Sequence, residues 1–233
     1  MKHRLIGFLA IVLLTGAFAP PAAAACNAAP GPAVDWTKCD KTKLDFSGVD
    51  LSSAVMTSAD LSRSDFADAN LSGANLTEAT FAKARLAGAK VVGADLTKAM
   101  FDRANMQGAD FSNSILIKTE LHRANLTKAR FTGATMHKAE FGRAILAEAD
   151  FTDGHMHAAY LARADLRGAI FSGADISDAD FYRADLRGAD LSQALQLEQE
   201  QLNATCGDET TKLPAGLTPP PEWPCASAEA EEE

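Results

Sequence analysis

Seven basic residues recur at every twentieth position of the sequence without interruption. They are called here the cation column, and they are Arg63, Lys83, Arg103, Arg123, Arg143, Arg163 and Arg183. Basic side chains that a repeat brings together can bind anions, because guanidinium groups match the geometry of phosphates and carboxylates. The cation column is therefore a candidate interaction surface for an unknown protein or for an anionic component of a cell envelope.

Two sets of acidic residues recur close to the cation column and predict an internal role for it. Their members are Asp60, Glu120, Glu140 and Asp180, and Asp65, Asp165 and Asp185. Unit charges ~5 Å apart repel each other by about 0.8 kcal/mol in water, so a row of cations favours nearby counter-charges. An interleaved charge ladder is the expected arrangement, and a docking surface is the alternative.

Three histidines are weak candidates for a metal site. His137 and His157 are separated by the same interval as the members of the cation column, and His155 lies near both in the sequence. If the chain completes one turn over that interval, the first two stack on neighbouring coils, and three imidazoles can bind a divalent metal. Solvated surface histidines are the simpler interpretation, so we expect no metal and no cofactor.

No catalytic constellation stands out in the sequence. We find no Ser-His-Asp grouping with a plausible geometry, and the glycines of the repeats recur at corners rather than in a phosphate-binding loop. The acidic residues are regularly placed, so no general acid and base can be picked out. The chain is therefore predicted not to be an enzyme.

The four cysteines, Cys26, Cys39, Cys206 and Cys225, all lie outside the repeats. Three pairings are possible, and in an exported protein the local pairs Cys26–Cys39 and Cys206–Cys225 are favoured. Each would close a loop of under about 20 residues and add roughly 3 kcal/mol to the stability. Lipid attachment at Cys26 is a rival role, although Ala23 stands where lipoprotein signals usually carry Leu.

The elements that position these residues follow from a period of five. From Phe46 to Leu191 every fifth residue is apolar, with 14 Leu, 10 Phe, 4 Met, one Val and one Ile in 30 places. A helix requires a period of about 3.6 and a strand one of about 2. The pattern instead predicts a coil that turns a corner every five residues, with each centre, and a small residue two places before it, facing inward.

The longer interval indicates four five-residue units per turn. The cation column recurs once in every four units, and so do Phe111, Phe131, Phe151 and Phe171. Thirty units then make about 7.5 coils, and at about 4.8 Å per coil the rod is about 36 Å tall. Because the phenylalanines of the repeats all lie at centres, we expect them to stack in the core and not to line a site.

The repeated unit resembles that of the pentapeptide-repeat family. Residues 74–78 (ANLTE) and 189–193 (ADLSQ) show the pattern of Ala, then Asp or Asn, then Leu or Phe. The resemblance covers residues 44–195 and implies an all-β solenoid, the right-handed quadrilateral β-helix. Handedness comes from the resemblance alone.

The N-terminal segment 1–25 predicts export. It combines a basic start, an apolar stretch from Leu5 to Leu14 and a small-residue cleavage site near Ala25, as in a secretory signal peptide. The apolar stretch is too short to span a bilayer, and no second candidate follows. The expected location of the mature protein is therefore the periplasm or the exterior of a bacterial cell.

Both ends of a solenoid need caps, because they expose strand edges and core. Residues 26–43 are predicted to cap the first coil. Residues 196–225 are predicted to form a short helical and irregular cap, with Leu195 and Leu202 facing the rod. Similar extensions in the family sometimes dimerise, so a homodimer through this cap is possible. Residues 226–233 are expected to be an acidic disordered tail.

The leading interpretation is a non-catalytic, exported rod that serves as a protein-interaction or envelope scaffold. One alternative is a nucleic-acid mimic that binds topoisomerases, as some cytoplasmic members of the family do; another is a lipid-anchored envelope protein. The net charge is −9, and removal of Lys2 and Arg4 with the signal peptide makes it −11. We therefore expect no binding to nucleic acid.

Overall fold

The computed structural model describes residues 26–225. The predicted signal peptide (1–25) and acidic tail (226–233) lie outside the described residues. Within the described range the helical structure is confined to α1 (Gln199–Leu202), and the β structure consists of isolated bridges rather than continuous strands. No helix in this part of the chain is long and apolar enough to cross a membrane.

The bridges build a four-sided parallel solenoid. In each unit the residue before the centre pairs with its equivalent four units later, as Val55 does with Asn75. The backbone N–H of Met56 donates to the carbonyl of Asn75 at 2.8 Å, which ties one coil to the next. The bridges confirm that one turn consists of four five-residue units, as the sequence predicts.

Each corner is a tight turn made by the short residues around a centre. The N–H of Ala54 donates to the carbonyl of Leu51 at 3.1 Å and closes the turn. The carboxylate of Asp50 accepts a hydrogen bond of 3.0 Å from the N–H of Ser52. The second residue after the centre commonly has a positive φ, 66° at Gly73, which explains why glycine recurs there.

The core is one column of stacked centres. All 30 centres from Phe46 to Leu191 are buried, and none is more than 4% exposed. The rings of Phe111, Phe131 and Phe151 stack with centroids 5.2 and 5.1 Å apart, close to the separation of neighbouring coils. The prediction that the phenylalanines form core is confirmed.

The first coil begins at residue 31, inside the segment 26–43 that the sequence predicts to be a cap. Trp36 occupies a centre position, is fully buried, and lies 5.1 Å from the ring of Phe46. Nζ of Lys41 lies 4.2 Å from the Trp36 ring centroid. Nε1 of Trp36 donates to the carbonyl of Ala28 at 3.3 Å, which ties the segment before the first coil to the end of the core.

The C-terminal end departs from the five-residue pattern at α1. Leu202 is buried as predicted, but Leu195 is 53% exposed, because it stands at a bridge position whose side chain points outward. Nε2 of Gln201 donates to the carbonyls of Ile176 and Ala179, each at 2.9 Å. The helix therefore binds backbone carbonyls of the last regular coil.

Beyond α1 the chain rejoins the solenoid. Cys206 forms a parallel bridge with Asp185. Nε1 of Trp223 donates to the carbonyl of Thr205 at 3.0 Å. The disulfide between Cys206 and Cys225 closes this segment over the end of the rod.

Candidate anion-binding corner

All seven residues of the cation column occupy the same place in the turn. Each is the second residue after a centre, has a φ between 56° and 61°, and is exposed. Their backbone positions recur about every 4.8 Å along the rod, so the column extends over about 29 Å. The fold thus gathers the candidate interaction residues along one corner.

Within residues 26–225, Arg103 is the one member of the cation column that forms an ion pair; its Nε lies 3.7 Å from Asp102. Basic residues elsewhere are joined to acids on neighbouring coils at 2.9–3.5 Å: Arg85 to Asp65, Lys98 to Glu78, Lys128 to Glu148, and Lys212 to Asp190. Six of the seven members of the column therefore have no ion-pair partner within the described residues.

The expected charge ladder does not form at this corner, because within the described residues no acid of the first set forms an ion pair with the cation column, and Glu140 and Asp180 bind other groups. Glu140 lies 2.8 Å from Nε2 of His122. Asp180 accepts a hydrogen bond of 2.8 Å from the N–H of Tyr182. An Asp before a centre lies next to the N–H groups of its own turn, and these compete with the more distant cations.

The second set of acids pairs with arginines at another corner. Arg167 donates to Asp165 at 2.8 and 2.7 Å, and Arg187 binds Asp185 in the same way on the next coil. Burial acts to raise the pKa of Asp165, but the hydrogen bonds and charge of Arg167 hold it below its usual value. Together with the pair between Asp65 and Arg85, these pairs leave no carboxylate of this set for the cation column.

A notch of about 440 Å³ opens along the cation column. Its floor is formed by Gly142 and Ala162, which directly follow the centres Phe141 and Leu161 on neighbouring coils. Arg123, Arg143 and Arg163 line one side of this floor. The notch therefore brings three cations from three coils to one depression.

Aromatic side chains complete the notch. Tyr160 lies on the side opposite the arginines, and His122 and Tyr182 flank the floor along the rod. A Cβ at Gly142 would lie 2.8 Å from the ring of Tyr160 and 3.0 Å from Nδ1 of His122, so any larger residue there would displace these rings. The sequence analysis did not predict these residues. The signal that could have indicated them is Gly142, because it directly follows its centre, whereas most glycines of the repeats lie one position later in the turn.

The three histidines do not assemble a metal site. The ring of His137 lies 6.4 Å from that of His155 and 6.1 Å from that of His157. Nδ1 of His157 lies 3.1 Å from the hydroxyl of Ser177. The part of the chain that the structure describes contains no group of three His, Cys, Asp or Glu side chains placed to hold a metal ion.

The cysteines form the two local pairs that the sequence favours. Cα atoms are 5.4 Å apart in Cys26–Cys39 and 5.6 Å apart in Cys206–Cys225. Each bridge lies at one end of the rod. The sulfur of Cys26 is thereby engaged in a disulfide and not free to carry a lipid.

Comparison with solved structures finds other repeat rods. HetL, a pentapeptide repeat protein involved in heterocyst differentiation regulation from the cyanobacterium Nostoc sp. strain PCC 7120, is 24% identical, with a TM-score of 0.44 over 81% of this chain and 86% of that one. Trypsin-treated QnrB1, a plasmid-mediated fluoroquinolone resistance protein, is 19% identical, with a TM-score of 0.39 over 78% and 92% of the two chains. Comparison with curated proteins finds no match.

The family assignment follows from the repeats themselves. The family model described as pentapeptide repeats matches eight copies, over residues 45–81, 80–116, 114–153 and 155–194. These segments cover well over half of the chain and coincide with the regular coils. The fold is the right-handed quadrilateral β-helix, and the chain belongs to the pentapeptide-repeat family.

Proposed function

We propose that this protein is a non-catalytic, exported rod that binds a phosphorylated glycolipid surface of a bacterial envelope through its cation column. The observation that carries the proposal is that six of the seven cations have no ion-pair partner within the described residues. Side chains at this corner reach solvent and, apart from Arg103, form no ion pair within residues 26–225. Phosphate groups supply the missing counter-charge.

A rigid solenoid supports this role. The bridges and the buried centres hold the cations at a constant spacing without a contribution from the cations themselves. Because the backbone is already ordered, binding would order only the arginine side chains. The entropic cost of binding is therefore small, which favours affinity. A surface with many phosphates can engage several coils at once.

Export is supported by the two ends of the chain. Residues 1–25 have the pattern of a signal peptide, and both disulfides belong to an oxidising compartment. The location that we propose, periplasmic or secreted, also places the protein away from cytoplasmic topoisomerases. Anchoring through Cys26 is disfavoured by its bond to Cys39.

Vesicle co-sedimentation tests the proposal. The vesicles contain phosphatidylcholine with a phosphorylated glycolipid, and control vesicles contain the same glycolipid without its phosphates. The test variant replaces Arg103, Arg123, Arg143 and Arg163 by Gln. At about 1 kcal/mol per cation near an anionic surface, we expect the variant to lose most of its binding, and binding of the wild type to fall with added salt.

A matched control carries the same change of charge at other corners. It replaces Lys98, Lys118, Lys128 and Lys138 by Gln, and these lysines have the same positive φ as the cation column. We expect this control to bind nearly as well as the wild type. Equal losses in the two variants, or no binding of the wild type to phosphorylated vesicles, would overturn the proposal; capture of an acidic protein instead would favour a protein partner.

A further inference from the structure

The notch differs from the rest of the cation column, because it adds aromatic rings and a defined volume to the positive charge. We propose that it binds a phosphomonoester carried on a sugar ring, either as a soluble sugar phosphate or as the phosphorylated sugar of a glycolipid head group. The inference rests on the proposed function, because it names the chemical group that one part of the column recognises.

The size of the notch fits a monosaccharide phosphate. Its volume of about 440 Å³ falls within the range of about 300–1,000 Å³ that is typical of small-molecule sites. Gly142 and Ala162 leave the floor free of large side chains, whereas His122 and Tyr182, at the same turn position on the flanking coils, place rings toward its two ends. The depression is therefore limited in length and not a continuous groove.

The charge of the notch matches a phosphate better than a carboxylate. Arg123, Arg143 and Arg163 contribute three positive charges, and Asp102, at one end, contributes one negative charge. Asp102 is the carboxylate that pairs with Arg103. A phosphomonoester carries a charge of about −1.5 to −2 and three acceptor oxygens, enough to engage three guanidinium groups on successive coils.

The two tyrosines supply a surface for the ring. Tyr160 is 44% exposed and Tyr182 is 48% exposed. Neither hydroxyl has a hydrogen-bond partner within residues 26–225, so both are free to bond sugar hydroxyls. An aromatic side chain offers an apolar face and a polar tip at little cost in conformational entropy, which fits a sugar with its C–H face and its hydroxyl groups.

The combination of arginines with an opposing aromatic ring occurs on one part of the rod. Tyr160 stands in a column whose other members are acidic or smaller: Asp60, Thr80, Met100, Glu120, Glu140 and Asp180. Among these positions, Tyr160 alone places an aromatic ring opposite the cation column across the small residues of the floor. The sequence therefore repeats the cations along the rod but builds the notch once.

Isothermal titration calorimetry tests the inference with glucose 6-phosphate, inorganic phosphate and glucose as probes. We expect the affinity to rank in that order. The Arg143→Gln variant should bind glucose 6-phosphate about tenfold more weakly, because a hydrogen-bonded charge is lost. The matched control is Arg63→Gln, which removes the same charge from the same turn position outside the notch and should change the affinity less than about twofold.

A second variant isolates the contribution of the ring. Tyr160→Thr installs the residue that the column already carries at Thr80, so the coil is expected to keep its fold, as circular dichroism and an unchanged melting temperature would verify. We expect it to bind glucose 6-phosphate no better than inorganic phosphate. Loss of phosphorylated-vesicle binding in the same variant would identify the glycolipid head group as the source of the ligand. Retained vesicle binding would identify a soluble sugar phosphate.

Three results would overturn the inference. They are no binding of glucose 6-phosphate below about 10 mM, equal weakening by Arg143→Gln and Arg63→Gln, and unchanged affinity in a folded Tyr160→Thr variant. None of them affects vesicle binding by the full cation column, which is measured separately. Failure of this inference and failure of the proposed function are therefore distinguishable.

Discussion

Two corners of the rod share one backbone conformation. One is the cation column, and the other lies across the rod from it and is called here the glycine-rich corner. The residues of the second corner are Ser53, Gly73, Gly93, Asn113, Gly133, Asp153 and Gly173. Both corners have φ values between 56° and 69°. At the glycine-rich corner the residue types match what this conformation favours, whereas at the cation column they do not.

The difference indicates which side chains the fold itself requires. A residue with a Cβ costs roughly 1 kcal/mol in the left-handed conformation relative to glycine. The cation column carries this cost on seven successive coils and, apart from Arg103, forms no ion pair with the residues that the structure describes. Its side chains therefore contribute little to stability, which is what we expect of residues that bind something outside the rod.

Removal of a core ring tests the packed core that lies behind both corners. Phe131 is fully buried between Phe111 and Phe151, so Phe131→Ala should lower the free energy of unfolding by about 3–5 kcal/mol. Urea denaturation followed by circular dichroism measures this. Phe131→Leu, which installs the commonest centre residue, should cost less than half as much; a loss below about 1 kcal/mol for the Ala variant would contradict a continuous packed core.

Transfer of a cation to the glycine-rich corner tests the difference directly. A Cβ at Gly133 would lie 2.8 Å from Oδ1 of Asn113, whereas one at Gly93 would have no atom within 4 Å. We expect Gly133→Arg to lower the free energy of unfolding by about 1–3 kcal/mol and Gly93→Arg by about 1 kcal/mol. Chemical denaturation of the two variants side by side measures the contrast, and a smaller loss for Gly133→Arg would refute the steric account.

The reverse change, Arg143→Gly, should stabilise the rod slightly. Relief of the left-handed strain gains roughly 1 kcal/mol, and the greater freedom of glycine in the unfolded chain offsets part of it. The expected net gain is about 0.5 kcal/mol, visible as a small rise in melting temperature. Arg143→Ala keeps the Cβ and should show no gain. A clear loss of stability in the Gly variant would mean that Arg143 supports the fold.

The smallest effect is expected at the end of the glycine-rich corner. Hydrogen bonds from Ser192 and Lys212 lower the pKa of Asp190 to about 2. Because this value lies below that in the unfolded chain, Asp190 stabilises the fold above about pH 4 and loses this effect as the pH falls toward 2. Since Asp190 is partly exposed, its contribution is under about 1 kcal/mol.

Acid titration of the unfolding free energy measures this contribution. We expect Asp190→Asn to lose stability at neutral pH and to show a shallower pH dependence between about pH 4 and pH 2. Asp153→Asn is a suitable control, because that exposed carboxylate accepts no hydrogen bond and forms no ion pair within the described residues. Parallel titration curves for wild type and Asp190→Asn would contradict the predicted linkage.

The regular part of the fold was predictable because every unit solves the same local problem. The apolar centre, the small residue before it and the polar turn recur with one period, so burial at Leu76 implies burial at Leu96. The predictions of four units per turn, stacked phenylalanines and local disulfides are confirmed. The ends were less predictable: Leu195 follows the bridge geometry outward, and Trp36 extends the first coil into the predicted cap.

The charges around the corner could not be paired from the sequence alone. Glu140 and Asp180 are near the cation column in sequence. In the structure, however, Glu140 binds His122, and Asp180 accepts a hydrogen bond from a turn N–H. Short-range hydrogen bonds compete with longer ion pairs through differences of an ångström or two, and a periodic sequence does not resolve such distances. The notch could not be predicted from the sequence either, because Gly142 and Tyr160 become neighbours only when coils stack.

The sequence by itself determined the architecture, the buried centres and the alignment of seven cations on one corner, because these follow from a repeat in which each unit contacts only its neighbours. Only the tertiary structure decided that most cations of this corner form no ion pair and that Gly142, Tyr160 and the three nearby arginines line one depression. These outcomes depend on side chains from successive coils that differ from the repeat, and their contacts exist only after the chain has wound into the rod.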